Sequence, residues 1–279
     1  KCKFCTFSLN PLGQKREYTE RPLESVIEEL KTVSADIVMF SDDNFFTNPA
    51  RSEKLCEMIV ENGIRKTFVV QTRIDIARRP ALLEKAAKAG IKIMLVGIES
   101  PHNRILEQIS KGFKQQDVRD AIAVLKKYPF YLHAYFIYGN IGETEEEMMY
   151  IPEFARELDL DSITFQKLRI EKYSPLLDVI RATPGYHYEY VGGPVYSDKY
   201  SLAYLKKIRN RIRRRFYTPA KLIRILRKLF ALGLADRRDV RRLLLAAPRV
   251  SYSLMKRSLD KKRLARALAR AKPVPRTAM

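Results

Sequence analysis

Apolar residues in the first 172 positions follow two alternating spacings. Between Leu23 and Leu30 they recur at the spacing of an amphipathic helix. Residues 37–40 then form an uninterrupted apolar run, which is typical of a short buried strand. The same alternation continues to residue 168. Strands that alternate with helices in this way predict a parallel sheet with helical crossovers.

Five strands and the helices between them can be assigned from this pattern. The helix after the strand at residues 37–40 begins at Asn48 and ends before Gly63. A capping box of Thr144 and Glu147 predicts the start of a later helix. Because the chain opens on a loop, we expect a longer protein with one further strand upstream of Lys1. Six βα units leave a partial barrel or a doubly wound sheet as candidates. The predicted strands cover residues 37–40, 67–70, 93–98, 130–138 and 162–168.

Polar residues stand at the end of each predicted strand, where core packing does not require them. In both candidate architectures, substrates bind at the carboxyl ends of the parallel strands. The N-terminal cysteines belong to the loop after the expected first strand, so they lie at the same edge. This edge is the predicted active site. Its polar residues are Ser41, Asp42, Asp43, Asn44, Gln71, Arg73, Glu99, Ser100, Tyr138, Asn140, Gln166, Lys167 and Arg169.

Composition and charge divide the chain into parts. With 279 residues and 46% apolar content, the chain can bury a substantial core, which excludes disorder as its main state. Acidic and basic residues balance over residues 1–172, so the whole formal charge of +21 lies in residues 173–279. We therefore predict a barrel domain over residues 1–172, a connector over 173–200 and a basic helical region over 201–279.

The cysteine content indicates the compartment. Three cysteines cannot form a disulfide framework, and they fit a reducing environment. No apolar run approaches the roughly 18 residues that a membrane-spanning helix needs, and no signal peptide is visible. We predict a cytoplasmic protein, located at most at a membrane surface.

Cys2 and Cys5 form a Cys-x-x-Cys pair, a motif shared by zinc sites, thioredoxin-like enzymes and iron–sulfur proteins. A structural zinc site needs four ligands, and Cys56 lies in a predicted helix where a small buried residue is expected. A thioredoxin-like fold is smaller than this series of βα units. Three histidines show no ligand spacing and are interpreted as structural or exposed residues: His102, His133 and His187.

In this context, residues 2–5 resemble the second half of the motif Cys-x-x-x-Cys-x-aromatic-Cys of the radical S-adenosylmethionine superfamily, with Phe4 as the aromatic residue. The motif's first cysteine would fall four positions before Cys2, upstream of the chain. The resemblance covers roughly residues 1–172 and implies a partial (βα)6 barrel of the TIM type with a C-terminal basic α-helical extension. It also implies that Cys2 and Cys5 ligate a [4Fe-4S] cluster with one open iron for S-adenosylmethionine.

Two segments after the predicted strands resemble parts of that superfamily's cosubstrate site. Asp42, Asp43 and Asn44 stand where the superfamily has an acidic segment that holds the ammonium group of S-adenosylmethionine. Arg73 stands where an arginine would pair with the carboxylate group of the cosubstrate.

Two later segments extend this resemblance. Glu99 and Ser100 match a segment whose acid accepts hydrogen bonds from ribose hydroxyl groups. Gly139 and Gly142 match a turn at which the backbone approaches the adenine. In this form, the segments are most similar to the branch whose members carry a cobalamin-binding domain upstream of the barrel, so the resemblance also implies cobalamin.

The activity that the resemblance implies is reductive cleavage of S-adenosylmethionine to a 5'-deoxyadenosyl radical. In the cobalamin-dependent branch, this chemistry methylates or otherwise remodels an unactivated carbon of a small-molecule or lipid substrate. A flavodoxin or ferredoxin would donate the electron. Two alternatives stay open: a tRNA-modifying radical enzyme, and a binding protein that keeps the barrel without its chemistry.

From Leu202 onward the chain is helical in pattern and strongly cationic. Its basic residues fit three interpretations: solvated faces of a helical extension, a contact with nucleic acid, or a surface for an anionic membrane. Apolar faces recur in this region and no base-stacking aromatic motif is visible. These features favour a membrane surface over RNA.

Overall fold

Strands and helices alternate as the spacing of apolar residues predicts. The computed structural model describes residues 2–239 and, further along, residues 241, 242, 245, 246, 253 and 256. The strands are β1 (Ile37–Met39), β2 (Thr67–Thr72), β3 (Ile91–Glu99), β4 (Tyr131–Tyr138), β5 (Ser162–Lys167), β6 (Tyr186–Tyr188) and β7 (Val195–Ser197). The helices are α1 (Leu23–Thr32), α2 (Pro49–Glu61), α3 (Pro80–Lys88), α4 (Asn103–Gln108), α5 (Gln115–Leu125), α6 (Glu145–Glu157), α7 (Pro175–Ala182), α8 (Leu202–Phe216) and α9 (Pro219–Ala231), with a 3-10 helix at Ile74–Arg78.

Strands β1 to β5 form one parallel sheet whose spatial order follows the sequence order. A doubly wound sheet reverses its strand order at one point, and this sheet does not. Each crossover leads to the adjacent strand, as in a barrel of the TIM type. The predicted partial barrel is therefore confirmed over these five strands, and the sixth strand expected upstream stays a prediction.

The strands bury alternate residues against the surrounding helices. Phe68 and Val70 on β2 and Met94 and Val96 on β3 are completely buried, whereas the residues between them are half-buried. This alternation gives the sheet one face for the helices and one for the inside of the partial barrel. Cys56 is buried in α2, as expected, and burial raises the pKa of its thiol to about 12.

The core continues past the predicted end of the barrel domain. Four apolar residues of α8 join the main core beside the barrel, and Lys1–Leu232 form one compact unit. Gly233–Met279 form a second unit, in which Asp236 and Asp239 exchange hydrogen bonds between backbone N–H groups and carboxylates. The division at residues 172 and 200 stays a prediction about domains. The α8 residues in the core are Leu205, Ile208, Ile212 and Phe216.

The connector forms a small core of its own. Helix α7 and the antiparallel pair β6–β7 enclose a cluster with Leu168 and Ile170 from the end of the sheet. Phe4 packs against this cluster, so the connector supports the N-terminal cysteine segment.

The two edges of the sheet differ. At β5, the Tyr217 hydroxyl accepts a hydrogen bond from the N–H of Ile163 (3.0 Å) and donates one to its carbonyl oxygen (2.6 Å). At β1, no described strand pairs with the outer edge. A cleft of about 410 Å³ lies there, and Val38 and Phe40 contribute to its lining. No helix among the described residues combines the length and the apolar content needed to cross a bilayer.

Candidate functional site

The cysteine segment is a tight turn attached to the body of the protein at two points. The N–H of Cys5 donates to the carbonyl oxygen of Cys2 (3.2 Å), and both cysteines are free and partly exposed. The N–H of Lys3 donates to the carbonyl oxygen of Ile109 (2.9 Å). The Ser174 hydroxyl donates to the carbonyl oxygen of Lys3 (2.5 Å). Two thiols are therefore presented on one anchored turn.

The electrostatics of Cys5 show which groups surround this turn. Burial raises the pKa of its thiol, a hydrogen bond from the Phe7 N–H opposes that increase, and the neighbouring Cys2 adds to it. The carboxylate of Asp43 raises the pKa further, while the ammonium group of Lys111 lowers it. The turn therefore lies within electrostatic reach of both an acid and a base.

The end of β1 brings Asp42, Asp43 and Asn44 to the same edge. Both carboxylates are exposed, and neither has a salt bridge with another described residue. The pKa of Asp43 is raised, mainly by partial desolvation of its carboxylate. The positive charge of Arg16 opposes this increase and the negative charge of Asp42 adds to it. The side-chain oxygen of Asn44 accepts a hydrogen bond from the Arg73 N–H (3.4 Å), which connects this segment to the end of β2.

Arg73 lies between the end of β2 and the cysteine turn. Its Nε donates to Asp75 (2.9 Å), and its guanidinium also donates to the carbonyl oxygen of Lys111 (3.3 Å). Partial burial alone lowers the pKa of Arg73, but Asp75 and the nearby Cys2 thiol together raise it. The predicted residues Cys2 and Arg73 are thus brought together.

Glu99 forms a buried ion pair with a residue that the sequence analysis did not identify. Its Oε1 lies 2.9 Å from Nζ of Lys111, and both residues are more than nine-tenths buried. Glu99 has a positive φ of 71°, which is uncommon outside glycine. A Cβ atom at Gly97 would lie 2.8 Å from Glu99 Oε1 and 3.1 Å from Lys111 Nζ. Glycine at this position therefore lets the two charged groups take up this contact without adjustment.

Ser100 has a structural partner. It is completely buried, and its hydroxyl accepts a hydrogen bond from the N–H of His102 (3.2 Å) at the start of α4. This contact fixes the turn after β3, and the predicted cofactor contact of Ser100 stays a prediction.

The turn after β4 contains both predicted glycines. Gly139 and Gly142 have φ values of 76° and 68°, and the N–H of Gly142 donates to the Tyr186 hydroxyl (2.5 Å). Between them, the N–H and the side chain of Asn140 donate to Glu143 Oε2 (2.8 and 3.1 Å). Glu143, which the sequence analysis did not identify, therefore closes this turn.

Glu143 is a buried acid whose pKa is raised. Burial raises its pKa from 4.5 to about 7, although hydrogen bonds from Asn140 and Gly139 oppose the increase. Its Oε1 atom and the side-chain oxygen of Asn140 are buried, and neither has a hydrogen-bond partner among the described residues. The capping box at Thr144 and Glu147 is present as predicted. These groups form a compact polar cluster at the end of β4.

The three histidines have protein partners. His133 contacts the Ser162 hydroxyl (2.7 Å), and burial lowers its pKa to about 4. His102 contacts the carbonyl oxygen of Glu147 (3.0 Å), and His187 contacts Asp198 (2.6 Å). These contacts agree with a structural interpretation.

The donor set at this edge fits an iron–sulfur cluster and its cosubstrate. Cys2 and Cys5 supply two thiols on one turn, and no group of three His, Cys, Asp or Glu ligands occurs among the described residues. A third thiolate would come from the position that the motif places upstream. Exposed carboxylates at Asp42 and Asp43 suit an ammonium group, and the guanidinium of Arg73 suits a carboxylate.

Comparisons with known proteins identify the family of the chain. The family model described as the Radical SAM superfamily matches residues 1–155. The chain is 33% identical over 172 residues to an uncharacterized methyltransferase of Pyrococcus horikoshii. This alignment covers 59% of the chain and 36% of that relative. The chain is also 23% identical over 185 residues to the hopanoid C-2 methylase of Rhodopseudomonas palustris. That alignment covers 63% of the chain and 35% of the relative. The chain thus spans little more than a third of either relative.

A solved structure supports the fold. The radical S-adenosylmethionine methyltransferase TsrM from Kitasatospora setae, with cobalamin and a [4Fe-4S] cluster bound, matches with a TM-score of 0.58 at 19% identity. The match covers 70% of this chain and 41% of TsrM. Together with the family match over more than half of the chain, it confirms the resemblance read from the cysteine motif. The chain belongs to the Radical SAM superfamily.

Proposed function

We propose that this chain is the catalytic barrel of a radical S-adenosylmethionine enzyme that methylates or remodels an unactivated carbon. The observation that carries the proposal is the turn of Cys2 and Cys5 at the carboxyl edge of the sheet, within electrostatic reach of Asp43 and Lys111. Two relatives support methyl transfer, the methyltransferase of Pyrococcus horikoshii and the hopanoid C-2 methylase of Rhodopseudomonas palustris.

The cysteine turn would hold the cluster. Cys2 and Cys5 would act as two of its three thiolate ligands, and Phe4 would anchor the turn through the connector core. A bound cluster would supply the single electron needed to cleave the sulfonium of S-adenosylmethionine. The positive charge of Lys111 would favour the thiolate form of Cys5.

The strand ends would bind the cosubstrate. Asp42 and Asp43 would accept the ammonium group, since both carboxylates are exposed and neither has a salt bridge with another described residue. Arg73 would turn its guanidinium towards the cosubstrate's carboxylate, and Glu99 would offer ribose its second carboxylate oxygen, because Oε1 is engaged by Lys111.

Four further residues complete the proposed site by backbone or indirect contacts. Asn44 would hold the end of β1 against Arg73, and Ser100 would hold the turn after β3. Gly139 and Gly142 would allow the backbone to approach the adenine, because their positive φ values make the turn tight.

For the whole protein, we propose cobalamin as a further cofactor, since the TsrM structure contains it. No described residue of this chain is assigned to cobalamin. The substrate would be a small molecule or a lipid, a flavodoxin or ferredoxin would donate the electron, and the protein would work in the cytoplasm. The alternatives are a tRNA-modifying enzyme of the same superfamily and a binding protein without activity.

Cysteine variants of the intact protein test the proposal. Cys2→Ala and Cys5→Ala should each abolish the iron–sulfur absorbance near roughly 400 nm and all cleavage of S-adenosylmethionine, because each removes a cluster ligand. Cys56→Ala, at a buried position in α2, is the matched control and should keep both. If Cys5→Ala retains the full cluster, the proposal is wrong and the non-catalytic alternative gains support.

A further inference from the structure

Helix α9 leaves four of its apolar side chains exposed. Leu222, Ile223, Leu226 and Phe230 are between 37% and 53% exposed, and Lys221 is the only buried residue of the helix. At about 100° per residue, these four side chains lie within one sector of about 100° around the helix axis. We call this sector the apolar stripe.

The same region is strongly cationic. Residues 202–231, which include α8 and α9, contain eleven Lys and Arg residues and no Asp or Glu. Arg211, Arg215 and Arg224 pair with carboxylates of the barrel. The remaining charged residues of these helices, Lys221 aside, have no salt bridge with another described residue: Lys206, Lys207, Arg209, Arg213, Arg214, Arg227 and Lys228.

The position of Lys221 fixes which side of α9 faces the barrel. Its ammonium group donates to the carbonyl oxygen of Leu160 and lies 5.2 Å from the centre of the Phe216 ring. On a helical projection, Lys221 lies about 100° from Leu222, outside the apolar stripe, and Arg227 borders the stripe's other side. The stripe is therefore presented to solvent with a cation at its margin.

An anionic lipid bilayer fits both properties of this surface. Its acyl chains can cover the apolar stripe while its phosphate groups meet Arg227 at the margin of the stripe. RNA would satisfy the charge, but it offers no partner for three aliphatic side chains. We propose that α9 lies in the interface of an anionic membrane, with the apolar stripe towards the acyl chains. The proposal concerns location and does not depend on the reaction proposed above.

Vesicle binding by the intact protein tests this inference. We expect co-sedimentation with phosphatidylcholine vesicles that contain phosphatidylglycerol, little with phosphatidylcholine alone, and persistence of binding at physiological salt. The double variant Ile223→Glu/Leu226→Glu should weaken binding about tenfold or more, because two apolar side chains no longer enter the bilayer. Val60→Glu, on α2 at 52% exposure, is the matched control and should bind normally.

Fluorescence gives a second measurement that does not depend on disruptive variants. The chain has no Trp, so Phe230→Trp places a single fluorophore in the apolar stripe. Its emission should shift to shorter wavelength with anionic vesicles and be quenched by brominated lipid, whereas Val60→Trp should show neither effect. An unchanged emission of Phe230→Trp would overturn the proposal. So would binding to bulk tRNA without binding to vesicles, which would identify RNA as the partner.

Discussion

Glu99 and Lys111 are charged residues that are more than nine-tenths buried. Separating such a pair is expensive, because the remaining charge stays buried without a partner, although the intact pair contributes little net stability. The strained φ of Glu99 and the missing side chain of Gly97 both accommodate this contact. The pair therefore fixes the position of the acid that we propose to contact ribose.

A double-mutant cycle measures this coupling. Lys111→Met should lower the free energy of unfolding by about 3 kcal/mol, because it leaves the Glu99 carboxylate buried and unpaired. Glu99→Gln/Lys111→Met should recover part of that loss, since neither position then carries a charge. Urea unfolding is the measurement, and Lys127→Met, at an exposed position, is the control. Additive effects of the two substitutions would contradict a coupled pair.

At the scale of single elements, the turn from β4 to α6 depends on one acid. Glu143 accepts two hydrogen bonds from Asn140, yet it is buried so deeply that its neutral form is favoured up to about pH 7. The folded state thus holds a proton that the unfolded chain releases near pH 4.5. Its contribution to stability is fully present below that pH and is lost as the pH rises to about 7.

The variant Glu143→Gln should remove this pH dependence. We compare the free energy of unfolding of the variant with that of the wild type at each pH. The difference should rise in favour of the variant by about 2 to 3 kcal/mol between about pH 5 and pH 8. His133, whose contribution is instead lost as the pH falls from 6.5 towards 4, is present in both proteins and cancels. Glu146→Gln, at an exposed position on α6, controls for the loss of one charge. Parallel pH profiles for wild type and Glu143→Gln would contradict the argument.

At the scale of the whole molecule, the site joins distant parts of the chain. The hydroxyl of Ser174, which also accepts a hydrogen bond from Leu176 at the start of α7, holds Lys3 across 171 residues of sequence. The cysteine turn therefore has the connector as its support, and motion of the connector is expected to reach the proposed cluster ligands.

Removing this support should loosen the cluster more than the fold. In the intact protein, Ser174→Ala should speed loss of the cluster to a chelator about five- to tenfold, because the shorter of the two hydrogen bonds to the Lys3 carbonyl is lost and only the one from the Leu176 N–H (3.3 Å) is left. Ser201→Ala removes a similar helix cap, at α8, without touching the turn. Both variants should lose about 1 kcal/mol of stability. Equal rates of cluster loss in the two would show that Ser174 acts only as a cap.

The sequence predicts what depends on local pattern. The strands, the capping box of Thr144 and the parallel sheet follow from spacing and could be assigned before the structure. Lys111 and Glu143 could not, because a charged residue is expected in solvent and nothing in their local sequence indicates burial. The buried ammonium group of Lys111, which lies in the loop before α5, comes close to Gly97 on β3, and its local sequence does not show that contact. The domain boundaries are predicted from the distribution of charge. They do not predict that α8 packs into the main core, because that packing depends on its apolar residues.

The hydrogen bonds of Tyr217 make the β5 edge of the sheet less accessible to a further strand than the β1 edge. An open sheet can be extended at either edge, and molecules whose two edges are both free can stack into filaments. Here, the N–H and carbonyl groups of Ile163 are already engaged by a side chain. A strand arriving at β5 would have to displace that phenol, whereas one arriving at β1 would meet an edge with which no described strand pairs. Head-to-tail polymerisation through the sheet is therefore blocked at one end, while closure of the barrel from the β1 side remains open.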